Sequence, residues 1–184
     1  MKSARILKKS LGSIIAHVFL LGSLSSAVSG QGKTSLSVSL GLPELVNAGL
    51  RYNLNQFQLG VNAGLFPDFG SVLLSVSANS YYHFAGESDF TRVRQYYIMS
   101  GINMLHSGGE NRSDMHFYIN FRVGKELNLS KQVAFAIDAG IIYQFYYTYR
   151  ISSVDNGAPN SQKGPVILPS ISLTYIYRYT SGRR

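Results

Sequence analysis

The sequence predicts an all-β fold, an eight-stranded antiparallel up-and-down transmembrane β-barrel. Three observations carry that expectation. The stretch from Phe57 to Phe66 alternates strictly: Phe57, Leu59, Val61, Ala63 and Leu65 are apolar, while Gln58, Gly60, Asn62 and Gly64 are polar or lack a side chain. Such period-2 alternation marks a strand with two different environments, and about 9–11 residues is the length of a tilted strand crossing a bilayer. The pattern then recurs along the rest of the chain. Finally, charged residues make up only 14% of the sequence, against about 25% in a soluble domain, and no run after residue 30 reads as a spanning helix.

The first thirty residues belong to targeting rather than to the fold. Lys2, Arg5, Lys8 and Lys9 form a basic region. Leu11 to Leu21 is apolar apart from Gly12, Ser13 and His17, and Ser23 to Gly30 is small and polar. This is the composition of a secretory signal peptide, and Ala27-Val28-Ser29 places cleavage near Ser29 or Gly30. The apolar run is well short of the roughly 20 residues of a membrane helix. The expected division is therefore a signal peptide over 1–30 and a barrel domain over 31–184. The whole chain has 17 basic and 9 acidic residues, net +8; removing the four basic residues of 1–30 leaves 13 against 9, net +4. That excess is mild and scattered, which argues against nucleic acid as a partner. Cysteine is absent, so disulfides, thiolate metal sites and a lipoprotein anchor are excluded.

The strands follow in order. Strand one, about Ser35 to Leu42, sets Leu36, Val38, Leu40 and Leu42 against Ser35, Ser37, Ser39 and Gly41, and Pro43-Glu44 connects it onward. Strand two, about Val46 to Leu54, opposes Val46, Ala48, Leu50, Tyr52 and Leu54 to Asn47, Gly49, Arg51 and Asn53. Asn55-Gln56 is a tight hairpin turn, since Asn tolerates a left-handed backbone. Strand three is the stretch already described, ended by the turn residues Pro67-Asp68-Phe69-Gly70. Strand four, about Val72 to Phe84, has Val72, Leu74, Val76, Ala78, Tyr82 and Phe84 on one face and Ser75, Ser77, Asn79 and His83 on the other. Strand five, about Arg94 to Leu105, opposes Tyr96, Ile98, Ile102 and Met104 to Gln95, Tyr97, Gly101 and Asn103. Ser107 to Asp114, with Gly108-Gly109 and the charged residues Glu110, Arg112 and Asp114, reads as an exposed loop. In strand six, about Met115 to Lys125, Met115, Phe117, Ile119, Phe121 and Val123 alternate with His116, Tyr118, Asn120, Arg122 and Gly124. Strand seven, about Val133 to Tyr149, reads as one unbroken apolar and aromatic row on odd positions, with Asp138, Gly140, Gln144 and Thr148 opposite. Ser152 to Gly164 is the longest polar loop. Strand eight, about Val166 to Tyr179, contains Pro169, which lacks a ladder donor and implies either a bulge or a later start.

Eight strands close a meander with both termini on one side. With a periplasmic N-terminus the outer loops are 43–45, 67–71, 106–114 and 151–165, and the inner turns are 55–56, 85–93 and 126–132. The largest polar loops then fall outside, as in outer-membrane barrels. Charge obeys the same sorting: Arg51, Arg122, Glu126, Asp138 and Arg178 share the inward phase, while Arg94 and Lys125 lie at strand ends. An arginine facing lipid at the midplane costs about 2–4 kcal/mol. Aromatic residues crowd both rims as interfacial girdles do. Tyr52, Phe57, Tyr82, Phe84, Tyr96, Tyr175, Tyr177 and Tyr179 form the inner rim, and Phe66, Phe117, Phe145, Tyr147 and Tyr149 the outer one. A soluble eight-stranded barrel of lipocalin type would hide its apolar rows inside. The Leu, Phe and Tyr rows are bulky and the Ser, Gly and Asn rows are compact, so the bulky rows are expected to face out.

With the signal peptide, the eight alternating strands and the aromatic strand from Leu173 to Tyr179, the chain resembles small outer-membrane β-barrels of OmpA/OmpX-type architecture and the PorT-like barrel families. The resemblance covers about residues 34–179. It implies an outer-membrane location, contact with outer-membrane lipid and insertion by barrel-assembly machinery that reads the C-terminal aromatics. Thr180 to Arg184 depart from the usual aromatic ending.

The inward charges Arg51, Arg122, Glu126, Asp138 and Arg178 are expected to form a structural network in a narrow lumen, since buried charges need partners. Some eight-stranded outer-membrane enzymes deacylate lipid A with a His-x-Ser arrangement on one strand face. Here His83 is followed two residues on by Ala85, His106 by Gly108 and His116 by Tyr118, so no catalytic residues are assigned. No metal-ligand spacing, phosphate loop or cofactor motif is present in the sequence. The expected role is structural or interactive, with a protein partner engaging loop 151–165. A narrow passive pore is the alternative, although eight strands leave a lumen that side chains fill.

Overall fold

The computed structural model describes residues 34–43, 45–68, 71–109, 112–151, 160–161 and 165–179. The expected signal peptide and most of loop 151–165 lie outside the described residues. The strands are β1 (Thr34–Leu42), β2 (Leu45–Leu54), β3 (Phe57–Asp68), β4 (Ser71–Ala85), β5 (Tyr96–Gly109), β6 (Arg112–Asn128), β7 (Val133–Ile151), β8 (Asn160–Ser161) and β9 (Val166–Arg178). Each of β1 to β7 pairs antiparallel with the next. β9 joins β7 on one side and β1 on the other. The result is a closed eight-stranded up-and-down barrel, with β8 a two-residue addition on Thr148 and Tyr149. Followed from Ser35 through Arg51, Gly60, Asn79, Gly101, Asn120, Ile142 and Leu168, the pairing returns to the line of β1 about ten residues higher, the stagger that accompanies strand tilt in a closed barrel.

The sorting of side chains follows the expected direction. Leu36, Leu40, Ile102 and Val123 on the outer wall are 56%, 56%, 62% and 58% exposed, whereas Ser35 and Ser37, which face the interior, are 2% exposed. The outward rows of Leu, Ile, Val, Phe and Tyr form a continuous belt, and the polar rows fill the interior. A barrel with an oily interior is thereby ruled out.

Both ends of the barrel's chain, Thr34 and Arg178, lie at one end, here the terminal end; Leu42, Asp68, Gly109 and Ile151 end their strands at the other, the distal end. At the terminal end Asn55 takes the left-handed backbone expected of its turn, with φ of 57°. Gln56 then ties that turn to the 86–95 connection. Its Nε2 donates to the Arg92 carbonyl at 2.8 Å, its Oε1 accepts from the Arg94 amide at 3.0 Å, and its own carbonyl accepts from the His83 amide at 2.8 Å.

Four expectations are corrected. The span 106–114 is not a loop: β5 and β6 continue as a paired hairpin to Ser107↔Asp114 and Gly108↔Ser113, so the connection shrinks to 110–111. The 67–71 loop shrinks likewise to 69–70. Arg94 precedes β5 and donates from Nη1 to the Phe84 carbonyl at 2.7 Å. The row along β7 is broken, because the register slips where Phe117 pairs with Tyr146 and Tyr118 with Gln144. Phe145 is the extra residue of a β-bulge, so Phe145 and Tyr146 both face out, at 50% and 46% exposed, and Tyr147 turns inward.

Pro169 needs neither a bulge nor a later strand start. It pairs with Ile141 of β7, but the ladder to β1 ends at Leu42↔Ile171. The strand's other edge is open at Pro169, where a missing N–H is tolerated.

Candidate functional site

Among the described residues, charged side chains pair in the interior. Asp138 of β7 is its hub. Oδ2 accepts from the Tyr97 hydroxyl at 2.7 Å, and Oδ1 accepts from the Ser172 hydroxyl at 2.8 Å and from Arg122 Nη1 at 3.4 Å. These groups come from β5, β6, β7 and β9, so the cluster ties four consecutive strands of the ring together. Register explains the convergence: Gly124 stands opposite Asp138 on one side and Ser172 on the other. A Cβ on Gly124 would lie 2.5 Å from Tyr97 Cζ and 2.7 Å from Asp138 Cβ. Glycine is what lets the tyrosine reach across its neighbour to the carboxylate.

The second ion pair joins Glu126 of β6 to Arg178 of β9 at the terminal end, both buried. The five expected network residues are thus all interior, but they divide. Arg122 pairs with Asp138, Arg178 pairs with Glu126, and Arg51 stands apart. Its guanidinium lies over the Tyr81 ring at 4.2 Å from the centroid, a cation–π arrangement, and its Nε and Nη1 have no hydrogen-bond partner among the protein groups. Tyr81 packs edge-on against Tyr97 at 5.7 Å, and His83 stacks on Tyr97 at 5.2 Å while its Nδ1 meets the Arg94 carbonyl at 2.6 Å.

Above this charged floor lies a layer of small polar groups. Asn62 Nδ2 donates to Ser77 Oγ at 3.1 Å, Asn79 Nδ2 donates to the same oxygen at 3.0 Å, and Thr174 Oγ1 donates to Ser39 Oγ at 3.1 Å. A cavity of about 20 Å³ lies there, lined by Arg51, Arg122, Asp138, Asn62 and Asn120 among others, with room for about one water. Tyr81, Tyr97, Met99, Tyr118, Ile142 and Ile176 are the buried large side chains that close the rest. Tyr97 and Tyr118 were already on the inward rows by sequence; Tyr81, Met99, Ile142 and Ile176 were not singled out, although their inward parity was the available signal.

At the distal mouth the β7 bulge builds a third cluster. Tyr147 stacks on His116 at 4.5 Å and donates to Asp114 Oδ1 at 3.2 Å, while His116 Nδ1 meets Gln144 Oε1 at 3.0 Å. Tyr147 is therefore a mouth residue and not part of the outer girdle, a correction caused by the extra residue at 145. The side chains of Phe66 and Tyr149 lie outside the described ones. Of the remaining rim aromatics, Phe57, Tyr82, Phe84, Tyr96, Tyr175, Tyr177, Tyr179 and Phe145 are exposed on the outer wall, and Tyr52 and Phe117 are partly so. Phe117 packs against both Phe145 and Tyr146, and Lys125 Nζ sits 5.0 Å from the Tyr96 ring centre.

Chemically, the site holds charge and excludes volume. His83 and His116 are each engaged by neighbours other than a serine–acid pair, and among the described residues no three His, Asp or Glu side chains group as metal ligands would. No protein-family model matches the chain, and no curated protein matches it.

Proposed function

We propose that the chain is an integral outer-membrane β-barrel whose role is structural or interactive, with a lumen filled by its own side chains. The observation that carries the role is the filled cross-section at Arg51, Arg122 and Asp138, where the cavity is about 20 Å³. The membrane placement is supported by the exposed belt of Leu, Ile, Val and Phe, because a contiguous apolar surface of that extent has no counterpart on ordinary soluble monomers. The aromatic rims support it too, as does the confinement of Arg51, Arg122, Glu126, Asp138 and Arg178 to the interior. In this reading the terminal end faces the periplasm and the distal end the exterior, and barrel-assembly machinery inserts the chain. A protein partner is proposed to engage the 151–165 connection.

Purified barrel in a planar lipid bilayer tests the role. Electrical silence is the expected result; steady open channels would overturn the filled-lumen reading and favour a passive pore. Pull-down with and without residues 152–164 tests the interaction half, and an identical set of captured proteins would count against that loop.

A further inference from the structure

We propose that the distal rim carries a lateral port between β1 and β9 that admits one acyl chain of a membrane lipid into the mouth of the barrel. The inference rests on the membrane placement proposed above.

The wall is uneven at this point. The β1–β9 ladder stops at Leu42↔Ile171, while β9 continues to Val166 with β7 alone at its side. On the other flank the β2–β3 ladder begins at Asn47↔Gly64, and β3 continues to Asp68 with β4. The end of β1 at Leu42 therefore forms a low sill between two taller walls.

Burial changes at the same level. From Ser170 to Arg178 the residues of β9 alternate strictly between buried and exposed, but Val166 through Pro169 are all exposed. Leu168 stands opposite Ile142, which is 3% exposed and faces inward, yet Leu168 is 45% exposed; Val166, in the same phase, is 41% exposed. Inward-phase side chains are reachable here, where the pairing with β1 has already ended at Leu42↔Ile171. Outside the wall, a groove of about 460 Å³ lined by Leu40, Leu42, Val46, Ile137, Ile171 and Leu173 runs up to the sill. Apolar surface thus continues from the outer belt, past Leu42 and Ile171, to Leu168 and Val166 inside.

The chemistry of the edge selects the occupant. An open strand edge invites another strand unless it is blunted, and in hydrocarbon each unsatisfied backbone group is costly. Pro169 removes one donor from this edge, and Ser170 Oγ donates to the Leu42 carbonyl at 2.8 Å, covering an acceptor on the sill. Val166, Ile167, Leu168 and Pro169 offer no charge and no side-chain hydrogen bond. A peptide strand or a polar solute would find little to hold, whereas a lipid acyl chain, already the solvent of the groove, needs nothing more than apolar contact.

The chain has no cysteine, so single labelling sites can be introduced cleanly. Leu168→Cys, Val166→Cys, the outward Ile171→Cys and the inward Leu105→Cys across the ring are labelled with a small fluorophore. The full barrel is then reconstituted with phosphatidylcholine brominated on its acyl chains. The port predicts quenching at 168 and 166 at least half that at 171 and several-fold above that at 105. Quenching at 168 and 166 no greater than at 105 would overturn it, and Val166→Cys gives the same readout if Leu168→Cys fails to fold. An unquenched label at 171 would defeat the membrane placement itself, and the port with it. Quenching of 168 by free brominated fatty acid but not by brominated lipid would overturn the choice of a lipid chain.

Discussion

Asp138 shows how one interior carboxylate can hold several strands in register. It receives Tyr97, Ser172 and Arg122, and removing one partner of a buried pair leaves a charge without compensation, at a cost of about 3–5 kcal/mol. Asp138→Ala is expected to destabilise the barrel by that order, read from the denaturant midpoint in lipid or from earlier loss of the heat-modifiable gel shift. Asp138→Asn keeps the shape and two hydrogen-bond partners and should cost less. Unchanged stability in both would remove the network from the account. Gly124 is a sharper probe, since its added methyl would meet Tyr97 and Asp138 at 2.5 and 2.7 Å. Gly124→Ala should cost about 1–3 kcal/mol through overpacking, while Gly108→Ala, whose nearest neighbour is at 3.5 Å, should be neutral in the same assay. The inward phase of the five charged residues was legible from parity alone. Which charges would meet was not, because Arg122 and Asp138 become neighbours only through the β6–β7 register, and Arg51 meets a ring, Tyr81, two strands away.

At the scale of the strand, the bulge in β7 is the feature that alternation concealed. Phe145, Tyr146 and Tyr147 are all aromatic, so a reading by apolarity runs through them without noticing a change of face. Only the pairing of Phe117 with Tyr146 shows that one residue is extra. Deleting Phe145 should restore regular pairing and leave Tyr147 on His116, so the variant is expected to fold. Deleting Tyr143 instead moves Gln144 off its face and away from His116, and is expected to abolish folding. Heat-modifiable migration of the two deletions decides the point: equal behaviour would discredit the bulge. The β5–β6 extension was hidden for a different reason. Its residues from Ser107 to Asp114 are polar on both faces, and a hairpin that stands clear of an apolar belt has no periodicity to report.

For the molecule as a whole, the outer belt sets the solvent in which the fold is stable. Ile102 is 62% exposed in mid-strand. In a bilayer Ile102→Arg should destabilise by about 2–4 kcal/mol, measured by reversible unfolding in lipid vesicles. A soluble barrel would accept the same change within about 0.5 kcal/mol, as exposed sites usually do, and that result would count against membrane residence. The filled lumen makes a separate prediction, electrical silence, whose failure would leave the belt argument intact. The lateral port likewise depends on strand ends of unequal height and not on the filled floor beneath it.

Strand number, antiparallel order and the division into oily and polar rows were determined by the sequence itself, because alternation is a local property of neighbouring residues. The tertiary structure alone decided the stagger of the ring, the bulge at Phe145, the partners of Asp138 and the sill at Leu42. Each of these depends on how a residue in one strand is aligned with a residue tens of positions away, and period-2 patterning is blind to a shift of two.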